Sequence, residues 1–339
     1  MRKLIFLGCA AAAVLASCSN EEPVAMPKSS AVSFDNAFVN NSTRATDITA
    51  ANIEDFNVYA FMGNPAGVVF AGETVTKNET TGEWEYENLQ YWTPVNTYWF
   101  SAVAPVTGAH WTYAPITETA DSYLGGGTLS FNNEAANGEQ DLLYAWKPSI
   151  LCESTTMSKV GFTFDHQLSR VKFTFQNDFN NSLATIVVKD VKITDAVADG
   201  TLDLNVAAPA WVCGNGTFTL AFDDYAVVDG EGNTNSHIAA KGGQGATGTK
   251  YMISANRAYN LTFTVELYQG GHLAGTYNHT VTVPAVNMLR GYSYNFTAKI
   301  DASNVDPVTE LRPIEFEVTG VNGFVDGGNT DVPVTAPTE

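Results

Sequence analysis

The sequence predicts an all-β fold built as two tandem antiparallel β-sandwich domains. Three observations carry that expectation. Apolar residues alternate with polar ones in run after run, the runs are separated by Gly, Pro, Asn and Asp, and helical periodicity is nearly absent. The chain has 339 residues, a length that suits two domains of ordinary size.

The N-terminus is not part of that fold. Arg2 and Lys3 form a positive start, Leu4 to Ala16 is an apolar run too short for a permanent membrane helix, and Leu15-Ala16-Ser17-Cys18 places small residues before a cysteine. This ending resembles a bacterial lipobox, in which residues 1–17 are removed as a signal peptide and Cys18 is acylated. An ordinary secretory signal with Cys18 incidental is the alternative. Two or more acyl chains on Cys18 would give a stable membrane anchor. Glu21-Glu22, just after it, resembles a surface-export signal. Residues 18–44 read as a flexible tether without clear periodicity. They end in Thr43-Arg44-Ala45-Thr46, a basic site open to a trypsin-like protease.

Alternation begins after Ile53. Phe56 to Phe61 is a strand stopped by Gly63-Asn64-Pro65, and Val68 to Thr76 and Trp84 to Glu87 flank the turn Thr81-Gly82. Tyr98 to Val103 is strongly apolar and ends before Pro105, and Asp141 to Trp146 ends before Pro148. The preferred domain joint is Pro148 to Lys159, giving domains of 45–158 and 159–339, with a cut near Asn177–Asn181 as the alternative. In the second half Val160, Phe162 and Phe164 alternate, then Val171, Phe173 and Phe175. Ile186, Val188, Val191 and Ile193 change parity at Asp190, as a bulge would. Residues 229–250 are rich in glycine and read as a long loop. Leu261 to Leu267 leads to the turn Gly270-Gly271, Tyr292 to Ile300 is the longest clean alternation, and Ile314, Phe316 and Val318 are the last.

Charge narrows the partners. With 36 Asp and Glu against 17 Lys and Arg, the chain lacks the clustered basic side chains that nucleic acid requires, and its surface is not one that anionic lipid attracts. Of the four cysteines, Cys9 leaves with the signal and Cys18 is the lipid site. Cys152 and Cys213 remain, either as a disulfide permitted by an oxidising compartment or as two separate thiols.

No pattern for catalysis, a cofactor or a metal emerges. Gly242 to Lys250 looks like a phosphate cradle, but its Lys250 leads into a predicted strand rather than a helix. The five histidines lack ligand spacing, although His272 and His279 flank a predicted hairpin. No G-x-S-x-G elbow occurs. The six tryptophans suit a sandwich core better than a sugar-binding platform.

Several stretches in order resemble one family, the fimbrillins of Bacteroidetes-type (type V) pili, including the Mfa-like group. They are Ser17-Cys18, Thr43-Arg44-Ala45-Thr46 before Phe56-Asn57-Val58-Tyr59-Ala60-Phe61, Tyr91-Trp92 with Trp99-Phe100-Ser101-Ala102, and Asp141-Leu142-Leu143-Tyr144-Ala145. Phe162-Thr163-Phe164-Asp165-His166-Gln167-Leu168-Ser169-Arg170-Val171 is the strongest, followed by Arg290-Gly291-Tyr292-Ser293-Tyr294-Asn295-Phe296 and the tail from Pro313 to Gly327.

The resemblance implies a two-domain, transthyretin-like pilin, exported as a lipoprotein and working at the outer membrane or in a surface fimbria. It also implies cleavage between Arg44 and Ala45, which opens a groove for a strand from a neighbouring subunit. Partners would be other fimbrial subunits and a host or bacterial surface ligand. The donor strand would lie within residues 312–325, with Ile314, Phe316 and Val318 filling pockets and Val321 and Phe324 beyond a turn. The other reading of this tail is the last strand of its own domain.

Overall fold

In the computed structural model the alternating segments are strands, because side chains two residues apart are then the ones that share a buried face. The structure describes residues 30–35, 37–39, 48–63, 66–116, 126–222, 227–228, 234–235, 237–306, 308 and 312–323. Strands of the first half are β1 (Phe38–Val39), β2 (Asp55–Gly63), β3 (Ala66–Lys77), β4 (Trp84–Glu85) and β5 (Thr97–Ala104). Then come β6 (Trp111–Pro115), β7 (Gly127–Asn132), a one-turn helix α1 (Asn133–Ala136), β8 (Leu143–Leu151) and β9 (Thr163–His166). The second half supplies β10 (Ser169–Asn177), β11 (Ala184–Val197), β12 (Asp199–Asp203), β13 (Trp211–Cys213), β14 (Thr217–Ala221), β15 (Val227–Val228) and β16 (Thr234–Asn235). It ends with β17 (Gly243–Ala246), β18 (Lys250–Met252), β19 (Asn256–Gln269), β20 (His272–Asn287), β21 (Tyr292–Ile300) and β22 (Phe316–Gly323).

Seven strands in the order β1-β9-β8-β5-β2-β3-β4 form the central sheet of the first half. Both of its faces are buried, which explains strands such as β5, buried at every position after Thr97 and apolar there except at Ser101 instead of alternating. One face packs Tyr59, Val103 and Tyr144 against Trp111, Tyr113, Leu129, Phe131 and Leu202. Those partners belong to a four-stranded sheet, β13-β12-β7-β6. The opposite face packs Phe56, Val58, Phe100 and Phe164 beneath Val32, Phe34, Trp92 and Phe162.

The second half is a sandwich of two sheets. One runs β17-β10-β21-β22, with β18 also paired to β10, and the other runs β14-β11-β19-β20. Phe173, Phe175, Ile186, Val188, Leu261, Phe263, Phe296 and Ile300 meet between them in one core. The parity change at Asp190 is a bulge, with φ of 53° at Asp190 and a register shift between Lys189 and Lys192.

Four expectations change. The joint drawn at 158/159 falls before β9, which pairs with β8 and so belongs to the first sheet. The sheet of β6 and β7 is completed by β12 and β13 from the second half, so the two halves share strands instead of standing in simple tandem. The pairing is mixed, since β1 with β9 and β10 with β21 are parallel. Finally, the glycine-rich stretch supplies an edge strand, β17, paired to β10; without side chains that clash, its backbone continues the ladder.

Candidate assembly groove

Residues 18–44 read from the sequence as a loose tether, yet residues 30–35 and 37–39 lie inserted in the first half as extended backbone. Main-chain hydrogen bonds hold this segment on both sides. On one side Val32 N–H donates to Gln90 O at 2.8 Å and Trp92 N–H to Ser30 O at 3.2 Å. On the other side Val160 N–H donates to Ser33 O at 2.7 Å, Asp35 N–H to Val160 O at 3.0 Å and Phe38 N–H to Phe162 O at 2.9 Å. β1 continues this pairing in parallel with β9, Phe38 opposite Thr163 and Val39 opposite Phe164.

The side chains alternate as an inserted strand requires. Val32 and Phe34 are each 1% exposed, and Asp35 faces solvent. Phe34 touches four rings: Phe56, Phe70, Tyr86 and Phe162, with centroid separations of 5.7, 6.0, 5.7 and 5.9 Å. Burying a phenylalanine in this way stabilises the docked segment by about 2–3 kcal/mol. The Tyr86 hydroxyl donates to Val32 O at 2.6 Å, and burial pushes that phenol above its usual pKa, which keeps the donated proton in place.

Removing the segment would expose an aromatic floor and leave the main-chain groups of Gln90, Val160 and Phe162 without partners. Such a groove is unfavourable in water and ready to accept another extended chain. The signal for it was short: Ala31-Val32-Ser33-Phe34 alternates over only four residues before Asp35 and Asn36 interrupt. Cys18 and the Arg44-Ala45 bond lie outside the described residues.

The tail sits in its own core. Ile314 is 4% and Phe316 5% exposed, and Phe316 contacts Phe173, Phe175 and Phe263 at 5.6, 5.8 and 6.2 Å. β22 pairs antiparallel with β21, and Val318 and Val321 lie on one strand with a register shift between them, not across a turn. β22 is hydrogen-bonded on one side and is the edge of its sheet among the described residues.

Other candidate residues separate. Cys152 and Cys213 are both free; Cys152 is in the core that holds Phe34, whereas Cys213 packs beside Trp111 and Trp211 on the other side of the central sheet. A disulfide between them is therefore not formed. His272 and His279 lie on the same strand, β20, and the buried His279 ring stacks on Phe263 at 5.1 Å, so they do not face each other across a hairpin. Lys250 is buried and paired with Glu139, which removes the phosphate reading of its loop. Among the described residues no cluster of three or more His, Cys, Asp or Glu has metal-binding geometry. Trp84, Trp92, Trp99, Trp111 and Trp211 are all buried, leaving Trp146, at 38% exposure, as a poor sugar platform alone.

A model of the fimbrillin-like family matches residues 43–319. The chain belongs to that family. A fimbrial protein from Bacteroides vulgatus has the fold in common with this fimbrillin-like chain. Identity is 14% and the TM-score 0.61, over 87% of this chain and 99% of that one. A candidate cell adhesion protein from Bacteroides ovatus matches at 13% identity and a TM-score of 0.48, over 88% of this chain and 98% of that one. One from Bacteroides uniformis matches at 14% and 0.46, over 88% and 100%. Identity this low speaks to fold and to nothing finer. A comparison with curated protein sequences finds no match.

Proposed function

We propose that this fimbrillin-like chain is a structural subunit of a cell-surface fimbria that supports adhesion. It is exported as a lipoprotein through Cys18, cut between Arg44 and Ala45, and polymerised by strand exchange with other subunits. The observation that carries this reading is the insertion of residues 30–35 and 37–39, upstream of Arg44, into a groove with partners on both sides. Cleavage cuts the covalent link between that segment and the body, and a neighbour's tail then replaces it.

The tail fits the vacated place by pattern. Ile314, Phe316 and Val318 alternate as Val32 and Phe34 do. In its own subunit β22 has main-chain partners on one side, whereas the groove offers them on two, so transfer gains hydrogen bonds while exchanging one aromatic environment for another.

Deep burial of Phe316 in its own core favours a second reading as well, in which the chain is an anchor or tip subunit that keeps its lipid and does not donate. N-terminal sequencing of protein recovered from surface fibres separates the two. A chain starting at Ala45 is the expected result, and an Arg44→Ala variant stays out of the fibre. Fibres made of subunits that begin at Cys18 would overturn the exchange reading.

A further inference from the structure

A second feature of the fold has no part in strand exchange. Where β13, the start of β19 and the turn after β20 come together, a cleft of about 630 Å³ opens, lined in part by Ala208, Pro209, Trp211 and Met288. Its volume and largely apolar walls are those of a small-ligand site.

The charge of this cleft runs against the rest of the molecule. The chain carries 36 acidic residues, yet none lines the cleft, and Arg257 and Arg290 both do. A polar trough of similar size, about 640 Å³, on the face of β21 and β22 includes Asp301, Glu315 and Glu317 beside its Lys299 and Arg312. Of these two, only the first has cations in its lining without acids beside them.

Its arginines are held in place with donors to spare. Gln167, 2% exposed, receives Arg290 Nη1–H on its Oε1 and Trp211 Nε1–H on its carbonyl at 2.7 Å. One buried residue therefore fixes both the cation and the indole wall. Arg290 also feels the charge of the Asp165 carboxylate, which offsets part of the cost of burying the guanidinium. Burial pulls that guanidinium below its usual pKa, a sign of a desolvated charge that an anion would stabilise. Arg257 donates through Nη2 to Asp195 at 3.1 Å and through Nε to Ala258 O at 3.3 Å, leaving Nη1. Asn256 and Asn287, opposite each other at the mouth, supply exposed amides suited to hydroxyl groups.

We propose that this cleft binds an acidic sugar residue, with its carboxylate on Arg290 and Arg257, its ring against the apolar wall of Ala208, Pro209 and Leu289, and its hydroxyls on Asn256 and Asn287. A carboxylate meets the planar fork of a guanidinium in a way a neutral sugar does not. The apolar walls give the ring a dry face, and the amides distinguish a polyol from a simple organic acid.

The test is titration of the full mature chain with D-glucuronate, N-acetylneuraminate and D-glucose, followed by saturation-transfer NMR and tryptophan fluorescence. At least one acidic sugar should bind saturably at millimolar concentration, D-glucose at least about ten-fold more weakly, and salt should reduce the acidic response. Arg290→Gln should weaken binding by about ten-fold or more. Because Arg290 also supports Gln167, Ala208→Glu serves as a second variant. It adds a carboxylate at an exposed position of the mouth and should abolish the response with the thermal midpoint unchanged. Binding of neither acid, equal binding of D-glucose, or full binding by a folded Ala208→Glu chain would each overturn the assignment.

Discussion

Phe34 and Phe162 stack with ring centroids 5.9 Å apart and planes inclined by 20°. Phe34 lies upstream of the Arg44-Ala45 junction and Phe162 in the body of the protein. On the proposed cleavage between Arg44 and Ala45, the contact would join a segment to be discarded with a core that remains, and would tie proteolysis to the creation of a binding groove.

Phe34→Ala should destabilise the uncleaved chain by about 3–5 kcal/mol, because it leaves a cavity among four aromatic rings. Phe38→Ala, on the same segment but at a residue 61% exposed, should cost less than about 1 kcal/mol. Urea denaturation of the Arg44→Ala background measures both. Equal effects would mean that the segment is not held by its buried face.

A second prediction concerns the connection between the two halves. His166 Nδ1 and Asp141 Oδ2 share a hydrogen bond of 2.7 Å with both side chains almost fully buried. Asp141 Oδ1 also accepts Leu142 N–H at 2.8 Å. His166→Ala removes one partner and leaves the other without it in the interior, and should cost about 3 kcal/mol. A loss below about 1 kcal/mol in urea would show that the pair does not brace this junction.

Alkaline pH should unfold the chain cooperatively. Burial pushes the phenols of Tyr59, Tyr86, Tyr259 and Tyr294 above their usual pKa. Above pH of about 10 the unfolded chain releases those protons while the folded one retains them, so stability falls as pH rises through this window. Phenolate absorbance followed together with circular dichroism should show exposed tyrosines titrating first and the buried set ionising only as the sheets melt. A single tyrosine titration centred near 10 in a chain that stays folded would contradict this.

Much of the sheet structure was legible because each long strand has one face to bury. Tyr294, Phe296, Ala298 and Ile300 alternate without interruption and fall on the core side of β21. Asp190 marked its own bulge, since inserting one residue flips the side chains that follow. What the alternation could not carry was which strands pair. β7 and β12 are each correctly apolar on one face, but nothing local to either says that Phe131 lies opposite Gly200. β17 was hidden because glycine has no side chain with which to show a period. The inserted segment was missed for another reason. Val32 and Phe34 are a pattern two residues deep, and the polar, proline-bearing stretch around them outweighed it. The same brevity suits the proposed exchange, for a segment with many more buried side chains would be slow to leave.

The most direct test of strand exchange uses a synthetic peptide of residues 312–323 and two forms of the folded chain, one intact and one cleaved after Arg44 with its N-terminal segment removed. The peptide should bind the cleaved form, raise its thermal midpoint and block its polymerisation. It should leave the intact form unaffected, and a peptide carrying Phe316→Asp should do neither. Equal binding to both forms, or no binding to the cleaved one, would contradict the claim that the place of Phe34 is taken by a neighbour's tail.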